Sequence, residues 1–410
     1  MKKFTIRSLF DRISGIDIGF KKAGFDIVNK IVKFFPESIR VNLKENSYNI
    51  YIGKLFLELV NFLPEVKSKR VLIVTDTNVS KLYLQDLILA LEKKDLVVSY
   101  LVVIAGEKSK NFEVLNKIYN SCIENNLDRK SLIIAFGGGV IGDMSGFVAS
   151  TYLRGIDFIQ VPTTLLAQVD ASIGGKTGID LEIGKNLVGS FYQPKLVWIY
   201  PQFLKTLYDR EFKNGLAEVI KYGVIYLDCG IKESFWDFLE DNIDKILDRN
   251  DDDILKKMLF LSAKSKANVV SKDEKEGDLR KILNFGHTLG HAIETYQNYS
   301  GLKHGEAVAF GMAFAAYVAV DMKICDKMVA IKFLNLLNKS GFEIEEWKRE
   351  IFVSHDVYDK ICYFMAHDKK MSVGKIDFIL PESIGKVKIV PLELDFIKKM
   401  LINWGSNGQN

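Results

Sequence analysis

Cysteine is scarce. The 410-residue chain has four, Cys122, Cys229, Cys325 and Cys362, and no two of them form a C-x-x-C pair. A disulfide scaffold or a thiolate zinc cluster needs denser spacing, so they read as reduced thiols of a cytoplasmic protein. Long apolar runs are missing too. No stretch reaches the roughly 18 residues that a membrane-spanning helix needs. The opening MKKFTIRSLFDRISGIDIGF is basic but lacks the continuous apolar region of a secretory signal. An organellar transit peptide is the alternative for this segment, and Asp11 and Asp17 count against it. Neither charge is in large excess: 56 Lys+Arg against 52 Asp+Glu leave +4, and the basic residues are dispersed. That argues against a nucleic-acid partner and suits a small anionic substrate. Internal repeats and low-complexity linkers are absent.

What is present is an ordinary globular composition, 48% apolar and 26% charged, in a chain long enough for two domains. Residues 1–37 read as an extension with weak helical character. IRVNLKENSYNIYIG reads as two short strands around a turn. RVLIVTDTN, VVSYLVVIAGE, SLIIAFGGG and IDFIQVPTT then read as strands, with helix-like segments between the first of them. Continuous apolar strands separated by helices predict a parallel sheet covered on both faces. After about residue 200 helical patterns dominate, and strand signals return only at KIDFILPE and GKVKIVP, a small hairpin. The expected fold is an α/β N-terminal domain with a parallel-type sheet and nucleotide-binding loops over 38–200. A mostly α-helical metal- and substrate-binding domain follows over 201–400, then a disordered tail over 401–410. The cleft between two such domains is the expected site.

Histidine is also rare, and three of the five fall in one window: His287, His291 and His304, in NFGHTLGHAIE and LKHGEAVAFGM. His287 and His291 are four apart and share a helix face. Imidazole suits zinc and its neighbours. Spacing alone makes these three the ligands, and Glu218 in NGLAEVIKYGV can help close the site; hydrogen-bonded core histidines are the plainer alternative. One helix is expected to carry Arg280, Asn284, His287 and His291 along a stripe. Lys221 follows Glu218 by three residues, and Lys266 precedes the histidines.

SLIIAFGGGVIGDMSGFVAS reads as strand, glycine turn and helix, and Gly137, Gly139 and Gly142 satisfy G-x-G-x-x-G, with Asp143 next. Such a turn lets backbone approach a pyrophosphate at a helix start. It is a poor dinucleotide fingerprint, because an earlier strand ends in TDTN instead. Asp76 and Asn78 there can meet a ribose or base, and Glu107 and Lys110 line the same groove. VPTTLLAQVDASIGGKTGIDLEIGKN is polar and glycine-rich in an apolar context. Its Lys176, Lys185 and Asn186, read as loop residues beside Asp170, can hold an anion.

Taken in order, GGGVIGDMSGFVAS, VPTTLLAQVDASIGGKTGIDLEIGKN, REFKNGLAEVIKYGVI, LRKILNFGHTLGHAIE and HGEAVAFGM closely resemble the 3-dehydroquinate synthase family of sugar-phosphate cyclases, from about residue 38 to 392. The resemblance implies a metal, usually zinc with cobalt as an alternative, on Glu218, His287 and His304 rather than on three histidines. It implies NAD along Asp76, Asn78, Glu107, Lys110, Gly138, Gly139, Asp143, Thr163, Thr164, Lys176, Lys185 and Thr206. Substrate contacts would be Arg154, Asp170, Lys176, Asn186, Lys266, Arg280, Asn284 and one of Lys369 and Lys370. Lys221, His291, Asn284, Lys266 and Arg280 would be the catalytic groups. The implied substrate is 3-deoxy-D-arabino-heptulosonate 7-phosphate, converted in the shikimate pathway to 3-dehydroquinate and phosphate with NAD regenerated. A homodimer is also implied, with Arg154 reaching the partner's site. Sister cyclases and glycerol-dehydrogenase-like enzymes are the rival readings. Retention of Lys266, Arg280, Asn284 and His291 favours the dehydroquinate pattern. Tyr208 stands where the family usually has proline, which is expected to alter the loop joining the domains.

Overall fold

The computed structural model describes residues 36–182, 184–368 and 374–406. Most of the N-terminal extension, Lys369 and Lys370, and the last four residues lie outside the described residues. The first half runs β1 (Glu37–Val41), β2 (Tyr48–Ile52), β3 (Arg70–Asp76), α1 (Gln85–Glu92), β4 (Val97–Val103), α2 (Phe112–Glu124), β5 (Leu132–Gly137), α3 (Gly139–Thr151) and β6 (Asp157–Pro162). A hairpin of β7 (Lys176–Leu181) and β8 (Gly184–Phe191) follows, then β9 (Leu196–Ile199). The main sheet has the order β1-β2-β9-β6-β5-β3-β4, parallel except for the β1–β2 pair. Every residue of β5 is buried, as expected of a central strand with helices over both faces.

Two elements differ from the sequence expectation. Lys176, Lys185 and Asn186 are not loop residues but lie on the β7–β8 hairpin. Glycine disfavours strands, which hides the pairing in KTGIDL and GKNLVGSF. LVWI, not anticipated as a strand, is β9 and joins β2 to β6.

The second half is α4 (Asp209–Ile225), α5 (Phe235–Asp248), α6 (Asp252–Lys272), α7 (His287–Tyr296), α8 (His304–Asp321), α9 (Lys327–Lys339), α10 (Ile344–Ile351), α11 (His355–Asp368), the hairpin β10 (Lys375–Ser383) and β11 (Lys386–Glu393), and α12 (Leu394–Ser406). Side-chain caps start several helices: Asp251 accepts from the Ile254 N–H ahead of α6, and Asp326 from that of Met328 ahead of α9. Residues 305–316 of α8 are buried without interruption, as befits a helix apolar around its whole circumference. It is the hub of the bundle. A side chain at Gly305 would run into the Asn214 carbonyl of α4, and one at Gly311 into the Gly286 carbonyl before α7. These close approaches set α4, α7 and α8 against one another.

The tail does not begin where expected. Helix α12 continues to Ser406, with Leu401, Trp404 and Gly405 buried. Trp404 packs against Phe310 and Phe314 at ring-centroid distances of 4.9 and 5.4 Å. One buried aromatic carries enough apolar area to hold a segment whose polar and glycine content suggests disorder.

The joining loop also keeps its shape. Tyr208 caps α4 at φ −59°, a value proline would adopt, and is exposed. Tyrosine there does not alter the backbone that proline would impose.

Candidate active site

Three helices converge on one carboxylate. Glu218 of α4 is fully buried, and among the described residues neither of its carboxylate oxygens has a hydrogen-bond partner. Lys221 Nζ, one turn along, stands 2.5 Å from Oε2 as an ion pair while donating to the Leu283 carbonyl at 2.9 Å. Facing Oε1 are His287 Nε2 at 3.5 Å and His304 Nε2 at 3.9 Å, each from the first residue of its helix. One ligand atom from each of these residues falls within 4.8 Å of the others. Even paired with Lys221, this buried carboxylate keeps acceptor capacity on Oε1, so two nitrogens and an oxygen so placed fit a divalent ion. The His287 Nδ1 lies 3.1 Å from the Phe285 carbonyl, which puts its proton there and leaves Nε2 free to ligate. Burial, then the charge of Lys221, pushes the His287 pKa well below its ordinary value, so the ring is neutral.

His291, Glu294 and His304 likewise bring one ligand atom each within 4.8 Å of the others. The rings of His287 and His291 are 5.4 Å apart, as the i,i+4 spacing required. The longer stripe does not form. Arg280 and Asn284 belong to a 3-10 turn over Leu279–Asn284, and the chain reverses at Gly286, at φ 81°, before α7 begins. Gly286 gives that reversal, and it is what aims His287 at Glu218.

A buried polar network adjoins this cluster. Asp170 lies in a π-helical segment, Ala167–Ala171. Its Oδ1 accepts from the Tyr222 hydroxyl at 2.7 Å and pairs with Lys266 Nζ at 2.8 Å. Burial raises the Asp170 pKa, but Lys266 and Lys221 outweigh it and hold the carboxyl well below the usual carboxylate range. Burial lowers the Lys266 pKa to about 8 although Asp170 opposes it; Arg280 and Lys221 add to the fall. Arg280 is 2% exposed and donates to the Glu274 carbonyl at 2.6 Å. Its Nε is 3.6 Å from Glu276, which also pairs with Lys176 of β7.

The sheet side contributes backbone. Helix α3 starts at Gly139 after Gly138, with no side chain capping its first turn, which leaves N–H groups for an anion. A Cβ at Gly142 would stand 2.6 Å from Gln160 Oε1, so this glycine lets α3 pack on β6. Asp76 Oδ1 accepts from the N–H groups of Asn78 and Val79 at 2.8 and 3.1 Å, which fixes the turn after β3. Lys110 Nζ meets Asp143 Oδ2 at 2.6 Å and Asn186 Oδ1 at 2.5 Å. Burial opposes the Lys110 charge, but Asp143 and Glu107 hold its pKa above the ordinary value. The Thr163 N–H donates to the Gly137 carbonyl at 3.0 Å, and Thr164 Oγ1 accepts from the Ala167 N–H at 3.2 Å.

The structure thus links Glu218, Lys221, His287, His304, Asp170 and Lys266 in one cluster, and Lys110, Asp143 and Asn186 in another. A Cβ at Gly139 would stand 3.3 Å from that of Ala171, so the glycine turn borders the Asp170 segment. Asn78 is exposed, and exposed Thr206 is engaged with Tyr83 at 2.7 Å. Arg154 does not join either cluster. It is exposed beyond the C-terminal end of α3, which a rise of 1.5 Å per residue puts about 20 Å from the glycine turn. Sequence reasoning missed Tyr222, Glu276 and Glu294. Glu294 was within reach of it, being three residues after His291 on the same helix.

A glycine turn on a parallel sheet and a buried Glu-His-His cluster, with lysines and an arginine beside it, define an enzyme site of the nucleotide-and-metal kind. The 3-dehydroquinate synthase N-terminal model matches residues 100–214 and the C-terminal model residues 215–371. A 3-dehydroquinate synthase of Caldanaerobacter subterraneus subsp. tengcongensis is 44% identical over 372 residues, covering 89% of this chain and 99% of that one. The chain belongs to the 3-dehydroquinate synthase family. Among solved structures, a 2-deoxy-scyllo-inosose synthase complexed with carbaglucose-6-phosphate, NAD+ and Co2+ is similar at TM-score 0.78 and 27% identity, over 89% of this chain and 99% of that one. A 2-epi-5-epi-valiolone synthase from Streptomyces hygroscopicus subsp. jinggangensis 5008, with NAD+ and Zn2+ bound, is similar at TM-score 0.76 and 26% identity, over 89% and 98% of the two chains.

Proposed function

We propose that this chain converts 3-deoxy-D-arabino-heptulosonate 7-phosphate to 3-dehydroquinate and phosphate in the cleft between the sheet and the helical bundle. The observation that carries the reading is Glu218: a buried carboxylate, short of hydrogen bonds and faced by two imidazole nitrogens, beside the buried cations Lys221, Lys266 and Arg280. Glu218, His287 and His304 would hold zinc or cobalt. The first turn of α3, with Asp76, Asn78, Glu107, Lys110, Asp143, Thr163, Thr164, Lys185 and Thr206 around it, would hold NAD. When bound, NAD supplies reversible hydride transfer and the metal supplies Lewis acidity toward neighbouring substrate oxygens.

The remaining work falls to side chains of the chain itself. Lys176, Lys266 and Arg280 bind the substrate's phosphate and carboxylate; Arg280 suits bidentate capture, and the incoming anion stabilises the lysine charge. Asp170 and Asn284, with Asn186, orient the hydroxyl groups, and the Tyr222 hydroxyl holds Asp170 in place. Lys221, ion-paired with Glu218 and donating to the Leu283 carbonyl, moves a proton at a substrate hydroxyl. His291 moves the second proton. Approach of the nucleotide and metal halves across the cleft would exclude water from a reactive enol. Arg154, remote from its own glycine turn, is available to a second copy's site in a cytoplasmic homodimer.

The test is metal retention together with turnover. Glu218→Gln, His287→Ala and His304→Ala should each lose the metal and reduce turnover by at least about a thousandfold, an effect in the range of removing a central electrostatic group. Full activity in the His304 variant would sink the ligand assignment.

A further inference from the structure

Glu294 has no place in that reaction, yet it is buried and ionic on both sides. It is 5% exposed on α7. Its Oε2 lies 3.0 Å from His304 Nδ1, while the Nε2 of the same ring faces Glu218. Its Oε1 lies 3.5 Å from Lys185 Nζ of β8, and that ammonium also sits 4.3 Å over the Tyr299 ring. The ring thus has one nitrogen toward the Glu218 cluster and the other toward a carboxylate. A ligating histidine commonly donates its second N–H in this way, which fixes tautomer and orientation.

We propose that Glu294 is a positioning residue: it holds the proton of His304 on Nδ1, aims Nε2 at the metal, and is itself held by Lys185 of the β7–β8 hairpin. The inference rests on the assignment of Glu218, His287 and His304 as ligands. It adds a chain of contacts, Lys185 to Glu294 to His304, by which the nucleotide half bears directly on the metal half. The loss of one carboxylate charge should therefore weaken the metal site without dismantling it.

The experiment titrates metal-free protein with Zn2+ against a chelating competitor, and with Co2+ followed by visible absorption. It compares wild type, Glu294→Gln, Lys185→Ala, their double variant and Glu218→Gln. Glu294→Gln should still bind one metal, roughly 10–100-fold more weakly, with unchanged Co2+ band positions and an unchanged melting temperature of the metal-free form. Lys185→Ala should give a smaller loss that adds nothing in the double variant, because the two act in series. Unchanged affinity in Glu294→Gln overturns the proposal while leaving the ligand reading intact, provided Glu218→Gln loses metal. A lower melting temperature of the metal-free Glu294→Gln form, matching its affinity loss, also overturns it by making the effect one of packing. Altered Co2+ bands in Glu294→Gln with metal retained in Glu218→Gln overturn both, and make His291, Glu294 and His304 the ligands.

Discussion

The two halves of the site are built from different material. On the sheet side the proposed work falls largely to backbone, at the uncapped start of α3, the glycines that bare it and the turn that Asp76 fixes, with the Lys110–Asp143–Asn186 cluster beside them. On the helical side it is done by side chains from α4, α7 and α8, residues as far apart in the chain as 218 and 304. The first kind of site is local, since strand, turn and helix follow one another within some twenty residues. The second exists only once three helices have packed, and the packing depends on bare backbone at Gly305 and Gly311. A backbone site should therefore fail gradually on substitution, and a side-chain site abruptly.

Substitutions on either side sharpen that contrast. The largest effect is expected for Gly305→Val, which must push α8 away from Asn214 and carry His304 from Glu218. It should remove metal binding and cost about 1–3 kcal/mol or more by overpacking, read by metal analysis and urea unfolding. Gly142→Ala is the counterpart on the sheet side. Its new methyl meets the end of a glutamine side chain that can move. It should raise the KM for NAD, on the order of tenfold for about 1.4 kcal/mol of lost binding, with metal content unchanged.

The pH profile probes the pocket between the halves. Lys266, faced by Asp170, Arg280 and Lys221, has its pKa lowered to about 8 by burial. Its charge is present below that pH and lost as pH rises through it, so kcat/KM should fall above about pH 8 in the free enzyme. Lys266→Arg, which stays charged, should abolish that limb while leaving some activity. The smallest effect is expected at the junction. Tyr208 already has proline-like φ, the preceding Leu207 is extended at ψ 136°, and no hydrogen bond from the Tyr208 N–H is found among the described residues. Tyr208→Pro should stabilise the protein by about 0.4–1 kcal/mol through the unfolded state, measured by urea unfolding.

The same contrast governs what could be read without a structure. The β3, β5 and β6 strands and the glycine turn are contiguous patterns, and the turn lies where SLIIAFGGG put it. Adjacent histidines on α7 were legible from their spacing. Glu218 could be named as a candidate from NGLAEVIKYGV, but spacing did not put it ahead of His291 as a ligand, because His287 and His304 lie 69 and 86 residues further on; only the resemblance made that choice. The Arg280-to-His291 stripe failed because Leu279–Asn284 winds as a 3-10 turn and the chain leaves the helix at Phe285 and Gly286. The β7–β8 hairpin was hidden by its glycines, and α12 by the polar residues around Trp404. Tyr222 was overlooked because its contact with Asp170 joins residues 52 positions apart and leaves no motif, whereas the spacing of Glu294 from His291 was there to be read.

The most direct test of the account supplies purified protein with 3-deoxy-D-arabino-heptulosonate 7-phosphate, catalytic NAD and zinc, and measures phosphate release while following NADH absorbance. Phosphate should be released with no net NADH, the release abolished by a chelator and restored by added metal. Steady NADH accumulation, or phosphate release that survives chelation and the Glu218→Gln change, would contradict it.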